Sequence, residues 1–473
     1  MNTPTTSLQA QLDTMRAAFA RGAPDRRQRQ RALLGLARAL RTHQEALLQA
    51  VDADFGGRAH AETLLLELFP LHDQIRHARR HLRGWMRRRR VRSPWFLLPA
   101  KAFYEYQPLG VAGIIGAWNY PILLTLGPAI DAIAAGNHVM IKPSELAPRT
   151  ATVIARIVDD AFAPEQVACV NGGADVAAAF SDLRLDHLFF TGSTRVGHLV
   201  MQAAARNLTP VTLELGGKSP AIIHDSFDLE RALARILTAK LMNAGQTCVA
   251  PDYVLLPAGR EAEFEALARR IVAAMYPGLA GNADYTHIVN DAHHARLLAL
   301  VDDARAQGAR VVDIGPGEEG VSSAQGRIVP PTLLFGTTDA MQVMQEEIFG
   351  PLLPVVSYRT LDEAIAYVND RPRPLALYYF DDHRGRQDEV LARTRSGGVT
   401  LNDCLYHLAQ HNLPFGGVGP SGMGQYHGFD GFVTFSKKRP VMVQRRLAAT
   451  ALLRAPWAQR QWLLNVMLRI ASR

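Results

Sequence analysis

A nucleophile is the first group to look for, and Cys248, in Asn243-Ala-Gly-Gln-Thr-Cys248-Val, is the candidate. Its small neighbours leave room around the sulfur. A thiol is already a few per cent thiolate at neutral pH, and a positive or hydrogen-bonding environment activates it further. Cysteine is also among the most buried residue types and often inert, and that alternative stays open for Cys248. Cys169 and Cys404 stand in strand-like apolar runs and are read as inert. A general base is the second need. Glu214, in Leu213-Glu214-Leu215-Gly216-Gly217-Lys218, is partly desolvated between two leucines at a strand end. Desolvation raises a carboxyl pKa toward the range useful for a base. The competing role is an ion pair with Lys218 or another cation. The third is Asn119, in Trp118-Asn119-Tyr120-Pro121 directly after a strand. Its amide can donate to a developing oxyanion without carrying charge. An asparagine that only forms the turn before a helix, with proline near the helix start, fits the same letters.

A nucleotide site is legible only in pieces. There is no GxGxxG, so the usual dinucleotide fingerprint is missing. Instead Phe190-Thr-Gly192-Ser193-Thr194 ends a strand and opens a helix, with Val196 and Gly197 in its first turn. Backbone N–H groups and the helix dipole there suit a pyrophosphate. Met140-Ile-Lys142-Pro-Ser-Glu145 ends an earlier strand and offers Lys142 and Glu145 to ribose hydroxyls.

These residues need a frame. The first ninety residues read as helices, with Leu33, Leu36, Leu40 and Leu47 on one face and Leu64, Leu65, Leu68, Leu71 and Ile75 continuing it. Strands are expected near 111–117, 137–142, 166–170, 187–191 and 211–215, with helices near 122–135, 147–163, 173–181 and 194–206 between them. That alternation implies a parallel sheet covered on both faces. It continues from 220 to 402, and the segments 431–435 and 441–443 are expected as late strands. The fold class is α/β: a doubly wound nucleotide-binding domain (1–92 and 108–212), an α/β catalytic domain (213–412) and a small β oligomerisation element (93–107 and 425–446). Residues 447–473 form an amphipathic tail.

Composition narrows the class. With 473 residues, 48% apolar and 20% charged, the chain is neither disordered nor a disulfide scaffold. Three cysteines without CxxC fit a reducing compartment and argue against structural zinc. The N-terminus lacks a basic region followed by an apolar core, so a cytoplasmic location is expected. Nine arginines fall between Arg76 and Arg92, and nine basic residues between Lys437 and Arg473, with no acid in either stretch. Subtracting these eighteen charges from the net +8 leaves the rest at −10. No nucleic-acid module accompanies the arginines, so nucleic acid is not an expected partner. The 25 uncharged residues between Glu105 and Asp131 are long enough for a bilayer but are broken by Asn119, Pro121 and four glycines. The pairs His77/His81 and His407/His411 stand at i, i+4 without HExxH, and no metal is expected. In the tail, Trp457, Leu463, Leu464, Met467, Leu468 and Ile470 gather on one side with Arg454, Arg469 and Arg473 mostly opposite, while Arg460 spoils the segregation. Peripheral contact with an anionic membrane and packing at a subunit interface both fit.

Taken together, WNYP at 118–121, KPSE at 142–145, FTGST at 190–194, LELGGKSP at 213–220, GQTC at 245–248 and EEIFGP at 346–351 resemble the aldehyde dehydrogenase superfamily over nearly the whole chain. GQTCVAPDYV and LPFGGVGPSGMGQYHG are similar to its class 3 branch. RHARRHLRGWMRRRR and EYQPLGVAGIIGAWNYP are similar to coniferyl aldehyde dehydrogenases. The resemblance implies Cys248 as nucleophile, Asn119 and the Cys248 N–H as oxyanion donors, and Glu214 as the base that activates water. It implies Lys142 and Glu145 at the adenosine ribose, and Gly192, Ser193 and Val196 near the pyrophosphate or adenine. Glu347 and Phe349 would hold the nicotinamide ribose and ring, and Tyr120 and residues 404–411 would line the substrate tunnel. A carboxylate at 145 accepts from a ribose 2′-OH and repels a 2′-phosphate, which favours NAD while leaving NADP open. Pro420 departs from the pattern, in a turn where a more flexible residue is expected. The implied activity is oxidation of an apolar or aromatic aldehyde by a homodimer, with coniferyl aldehyde to ferulate leading. A long-chain fatty aldehyde dehydrogenase at a membrane and a cofactor-free thiol esterase are the alternatives.

Overall fold

The computed structural model describes residues 4–316 and 326–472, so Arg473 lies outside it. Two parallel sheets carry the molecule. The first has six strands in the order Gly422–Met423, Val211–Glu214, His187–Thr191, Val111–Ile115, His138–Lys142, Val167–Cys169. All pair in parallel except the two-residue Gly422–Met423. The second has seven, in the order Arg310–Asp313, Thr332–Phe335, Leu352–Tyr358, Tyr253–Pro257, Pro220–Ile223, Ala376–Phe380, Gly398–Leu401, antiparallel only at its first pair. The strand Val111–Ile115 is buried throughout, as apolar runs covered on both faces are. The chain is a two-sheet α/β protein of the kind the alternation predicts.

A third sheet is antiparallel: Arg89–Val91, Lys101–Pro108 and Ser436–Val443. Of residues 431–435, expected as a strand, 431–434 instead belong to the helix Gly428–Thr434, and Phe435 caps its end. Phe432 is buried there between Trp85 and Tyr106, and Gly431 sits so close to Asp131 that any side chain would strike its carboxylate. Cys404 likewise lies in a turn after Gly398–Leu401, not in a strand, though it is buried.

Helices cover the first sheet. Leu33, Leu36 and Leu40 lie on Arg26–Thr42 and Leu47 on Gln44–Phe55, so the expected single face is shared by two helices that meet at His43. Arg29 reaches from the first of these to the C-terminal carbonyls Ala134 and Ala135 of Leu123–Ala135, and burial lowers its pKa to about 10. The leucine face at 64–75 breaks: Leu68, Leu71 and Ile75 are buried, but Leu64 and Leu65 are 38% and 58% exposed. The cause is a π-turn at Leu64–Leu68, whose extra residue rotates the face and sends Glu67 inward instead. Among the described residues no helix is long and apolar enough to cross a membrane. The stretch 106–130 resolves into the end of one strand, a second strand, a turn and the start of a helix.

Candidate active site

Cys248 lies at the junction of the two sheets, in a loop that follows the helix Leu229–Leu241. The loop is locked by unusual backbone. Asn243 and Ala244 have φ of 54° and 50°, in the left-handed region, and Gly245 has 76°. A side chain at Gly245 would strike the Gly350 carbonyl, so glycine is required on both counts. The Gln246 side chain donates to the carbonyls of Asn243 and His287 and accepts from Val289 N–H, each at 3.0 Å. The residue as a whole is half-buried.

Asn119 and Tyr120 are tied to this loop. Asn119 Nδ2 donates to the Gln246 carbonyl at 3.0 Å, and the Tyr120 hydroxyl and Thr247 Oγ1 are 2.6 Å apart. The Asn119 carbonyl accepts from Arg58 Nη1 at 2.7 Å and Asn243 Nδ2 at 2.9 Å. The turn after Val111–Ile115 therefore does more than start a helix. It holds an amide beside the residues that precede Cys248.

Glu214 ends the strand Val211–Glu214, is 4% exposed, and has no hydrogen-bond partner on either carboxylate oxygen. Burial raises its pKa well above the ordinary 4.5. The ion pair weighed as its alternative does not form. Lys218 turns the other way, to Asp252 and the carbonyls of Val343 and Glu346. No cation is among the groups that act on the Cys248 thiol. Desolvation, with the nearby carboxylates Glu347 and Glu214 adding to it, pushes the thiol up to about 12, against the pull of the Cys248 and Val249 N–H groups.

The cofactor candidates fall along the carboxyl ends of the first sheet. Lys142 is buried at the end of His138–Lys142 and pairs with the partly exposed carboxylate of Glu145. Ser193 caps the helix Thr194–Ala205, its Oγ accepting from Val196 N–H at 3.4 Å, and a side chain at Gly192 would overlap the Phe190 ring. Glu347 has one buried oxygen without a partner, and burial raises its pKa to about 8. Any side chain at Gly216 would occupy the space of that carboxylate. Phe349, at φ 52°, sets its ring 5.3 Å from Trp118. A free carboxylate acceptor, a lysine–glutamate pair and a capped helix start fit the riboses and pyrophosphate of a dinucleotide. Pro420 is exposed on this side, with its carbonyl accepting from Thr194 Oγ1 at 3.2 Å.

The histidine pairs find other work. His411 pairs with Asp73 at 2.9 Å, His407 with Thr400 at 2.8 Å, and the His77 ring lies tilted between those of His81 and His411. Three residues beside the site escaped the sequence reading: Arg58, Glu62 and Lys240. A lysine within an otherwise apolar helix end was the available signal for Lys240, which is buried and whose pKa burial lowers to about 8.

Two parallel sheets meeting at a cysteine, with an amide on one side and unpaired carboxylates on the other, define a two-domain α/β enzyme. A model of the Aldehyde dehydrogenase family matches residues 5–441, and the chain belongs to that family. It is 49% identical over 453 residues to a probable coniferyl aldehyde dehydrogenase of Pseudomonas aeruginosa, covering 96% of this chain and 94% of that one. It is 47% identical over 429 residues to a coniferyl aldehyde dehydrogenase of a Pseudomonas species, covering 90% and 89%. The structure of the substrate-bound state of Staphylococcus aureus AldH superposes with a TM-score of 0.92 at 35% identity, over 99% of this chain and 100% of that one. The protein is an NAD(P)-dependent aldehyde dehydrogenase.

Proposed function

We propose that the chain oxidises an apolar aromatic aldehyde to its carboxylic acid, with coniferyl aldehyde to ferulate as the leading reaction and NAD as the favoured cofactor. The reading rests on one observation above all. Asn119 and Tyr120 are bonded to Gln246 and Thr247, immediately before Cys248, while the unpartnered carboxylate of Glu214 and that of Glu347, with one oxygen free, lie close enough to act on its thiol.

The Cys248 thiol releases its proton to solvent as Sγ attacks the aldehyde carbon, and a thiohemiacetal oxyanion forms. That oxyanion takes the second Asn119 Nδ2 hydrogen, the first being held by Gln246, and the Cys248 N–H. When bound, the nicotinamide supplies the two-electron acceptor for the hydrogen on that carbon, and a thioester remains on Cys248. Glu214 takes a proton from water as the water attacks the thioester, and the proton returns to Sγ as the acid leaves. Lys142, Glu145, Ser193, Gly192, Val196, Glu347 and Phe349 hold and orient the cofactor, and Tyr120 closes one wall of the substrate site. Glu145 disfavours the extra phosphate of NADP. The relatives' names supply the aromatic substrate.

NADH formation with coniferyl aldehyde, benzaldehyde and a long-chain alkanal tests the substrate. The expected order of kcat/KM places coniferyl aldehyde first. An alkanal in first place moves the reading to long-chain aldehydes. Silence on all three with either cofactor, alongside ester hydrolysis without nucleotide, replaces it with a thiol esterase.

The tail favours a lipid surface as well as a homodimer. Trp462, Leu468 and Ile470 are more than half exposed on Gln461–Ala471, and Leu464 and Met467 line a groove of about 560 Å³ with Trp95 and Phe96. Along the chain, residues 437–473 carry nine basic residues and no acid. The chain is expected to float with phosphatidylglycerol vesicles, to fail with phosphatidylcholine, and to come off at high salt. A chain lacking 447–473 that turns from dimer to monomer, with no flotation of the parent, assigns the tail to the subunit contact instead.

A further inference from the structure

Behind Asn119 lies a buried ion pair that the reaction as described does not use. Arg58 is 3% exposed, and Glu67 is fully buried. Arg58 Nη1 donates to the Asn119 carbonyl at 2.7 Å, and the guanidinium carbon sits 5.0 Å from the Tyr120 ring centre and 4.8 Å from that of Phe55. Its Nε and Nη2 have no hydrogen-bond partner, and its nearest counter-charge is Glu67, 3.5 Å away. Glu67 in turn accepts from the N–H groups of Ile122 and Leu123, at 2.8 and 3.1 Å. These open the helix that begins directly after Asn119 and Tyr120. The π-turn Leu64–Leu68 is what brings Glu67 to this position.

A buried ion pair is a poor device for stability, because desolvation offsets the attraction. Leaving two donors of the cation unpartnered makes it poorer still. Its placement has another use. The Asn119 main chain is gripped by Arg58 and Asn243, its side chain by Gln246, and the next residue's ring by the guanidinium.

We infer that Arg58 is a positioning residue for the oxyanion amide, holding the Asn119 peptide and the Tyr120 ring so that the free Nδ2 hydrogen points at the aldehyde oxygen. Glu67 holds Arg58 and the start of the following helix in one register. This rests on the reading of Asn119 as the oxyanion donor. Lysine at 58 keeps the charge but loses the planar fork that contacts carbonyl and ring together.

The test is a double-mutant cycle in kcat, with Arg58→Lys, Asn119→Ala and the pair, each checked for thermal unfolding and for NAD binding by fluorescence. Small misplacements of a reacting group are costly, so Arg58→Lys is expected to lower kcat about tenfold, with aldehyde KM within about twofold and NAD binding unchanged. In the Asn119→Ala background the same change is expected to alter kcat by less than about twofold, since acting through a shared group makes effects non-additive. A loss of the same size in that background overturns the role of Arg58 and leaves that of Asn119 standing. Parental kcat in Asn119→Ala overturns the oxyanion reading, and the role of Arg58 with it. Should Arg58→Lys not fold, Glu67→Gln, which keeps an acceptor for Ile122 N–H but removes the counter-charge, enters the same cycle with the same criteria.

Discussion

Cys248→Ala is expected to lower aldehyde-dependent NADH formation by at least about 10⁴-fold, because no other group in the site can carry the acyl chain. Cys169 stands at the end of a different strand, and Cys404 is fully buried in its turn. The substitution removes one sulfur from a half-buried residue and no hydrogen-bonded side chain, so the change in stability is expected to stay below about 1 kcal/mol. NAD affinity is expected to hold, which separates lost chemistry from lost structure. The surroundings add a pH signature. With the thiol pushed up to about 12 by burial and two carboxylates, the thiolate is scarce at pH 7 in the ligand-free protein. Alkylation by iodoacetamide should therefore be slow at neutral pH and rise about tenfold per pH unit beyond it. Residual turnover within tenfold of the parent would remove Cys248 from the reaction.

The sequence made Cys248, Glu214 and Asn119 legible as separate residues, but not their coupling. Nothing local says that Gln246 will take one hydrogen of the Asn119 amide, since the two lie 127 residues apart. The five parallel strands of the first sheet were legible because apolar runs buried on both faces have few other uses. The helix Gly428–Thr434 was not, because Gly-Phe-Val-Thr-Phe satisfies strand propensity until Asp131 and Trp85 are packed against it. The π-turn at Leu64–Leu68 shows the same limit from the other side. Its leucines fit a continuous helical face, and nothing local in them says that the turn will send Glu67 inward to Arg58. The ion pair left open for Glu214 fails for a related reason. Charge in sequence says little about charge in space, and the lysine nearest Glu214 in the chain is committed to Asp252.

Glu214→Gln is expected to separate the two halves of the reaction. On the proposed mechanism acylation needs Cys248 and the Asn119 amide, and both stay in place. Hydrolysis needs a base, and the amide of glutamine is none. Steady-state kcat should fall by about 10²–10⁴-fold, while mixing with NAD and aldehyde still gives a burst of about one NADH per subunit as the thioester stalls. Mass spectrometry of the quenched protein should find the acyl group on Cys248. Full steady turnover without a burst would show that another group activates the water. The variant also tests the electrostatics by linkage. The parent's Glu214 has a folded pKa raised above its unfolded value, so its contribution to stability is fully present below about pH 4.5 and is lost as pH rises toward the folded pKa. Glutamine does not titrate, so Glu214→Gln should gain stability relative to the parent as pH rises above 4.5. Asp131 and Glu347, raised to about 7 and about 8, titrate in both proteins and leave that difference largely untouched. Parent activity should climb over the same range, since the base works only when ionised. A protein that needs a charged carboxylate for hydrolysis and is more stable with a neutral one holds strain at the reacting centre, and the variant should trade turnover for that stability.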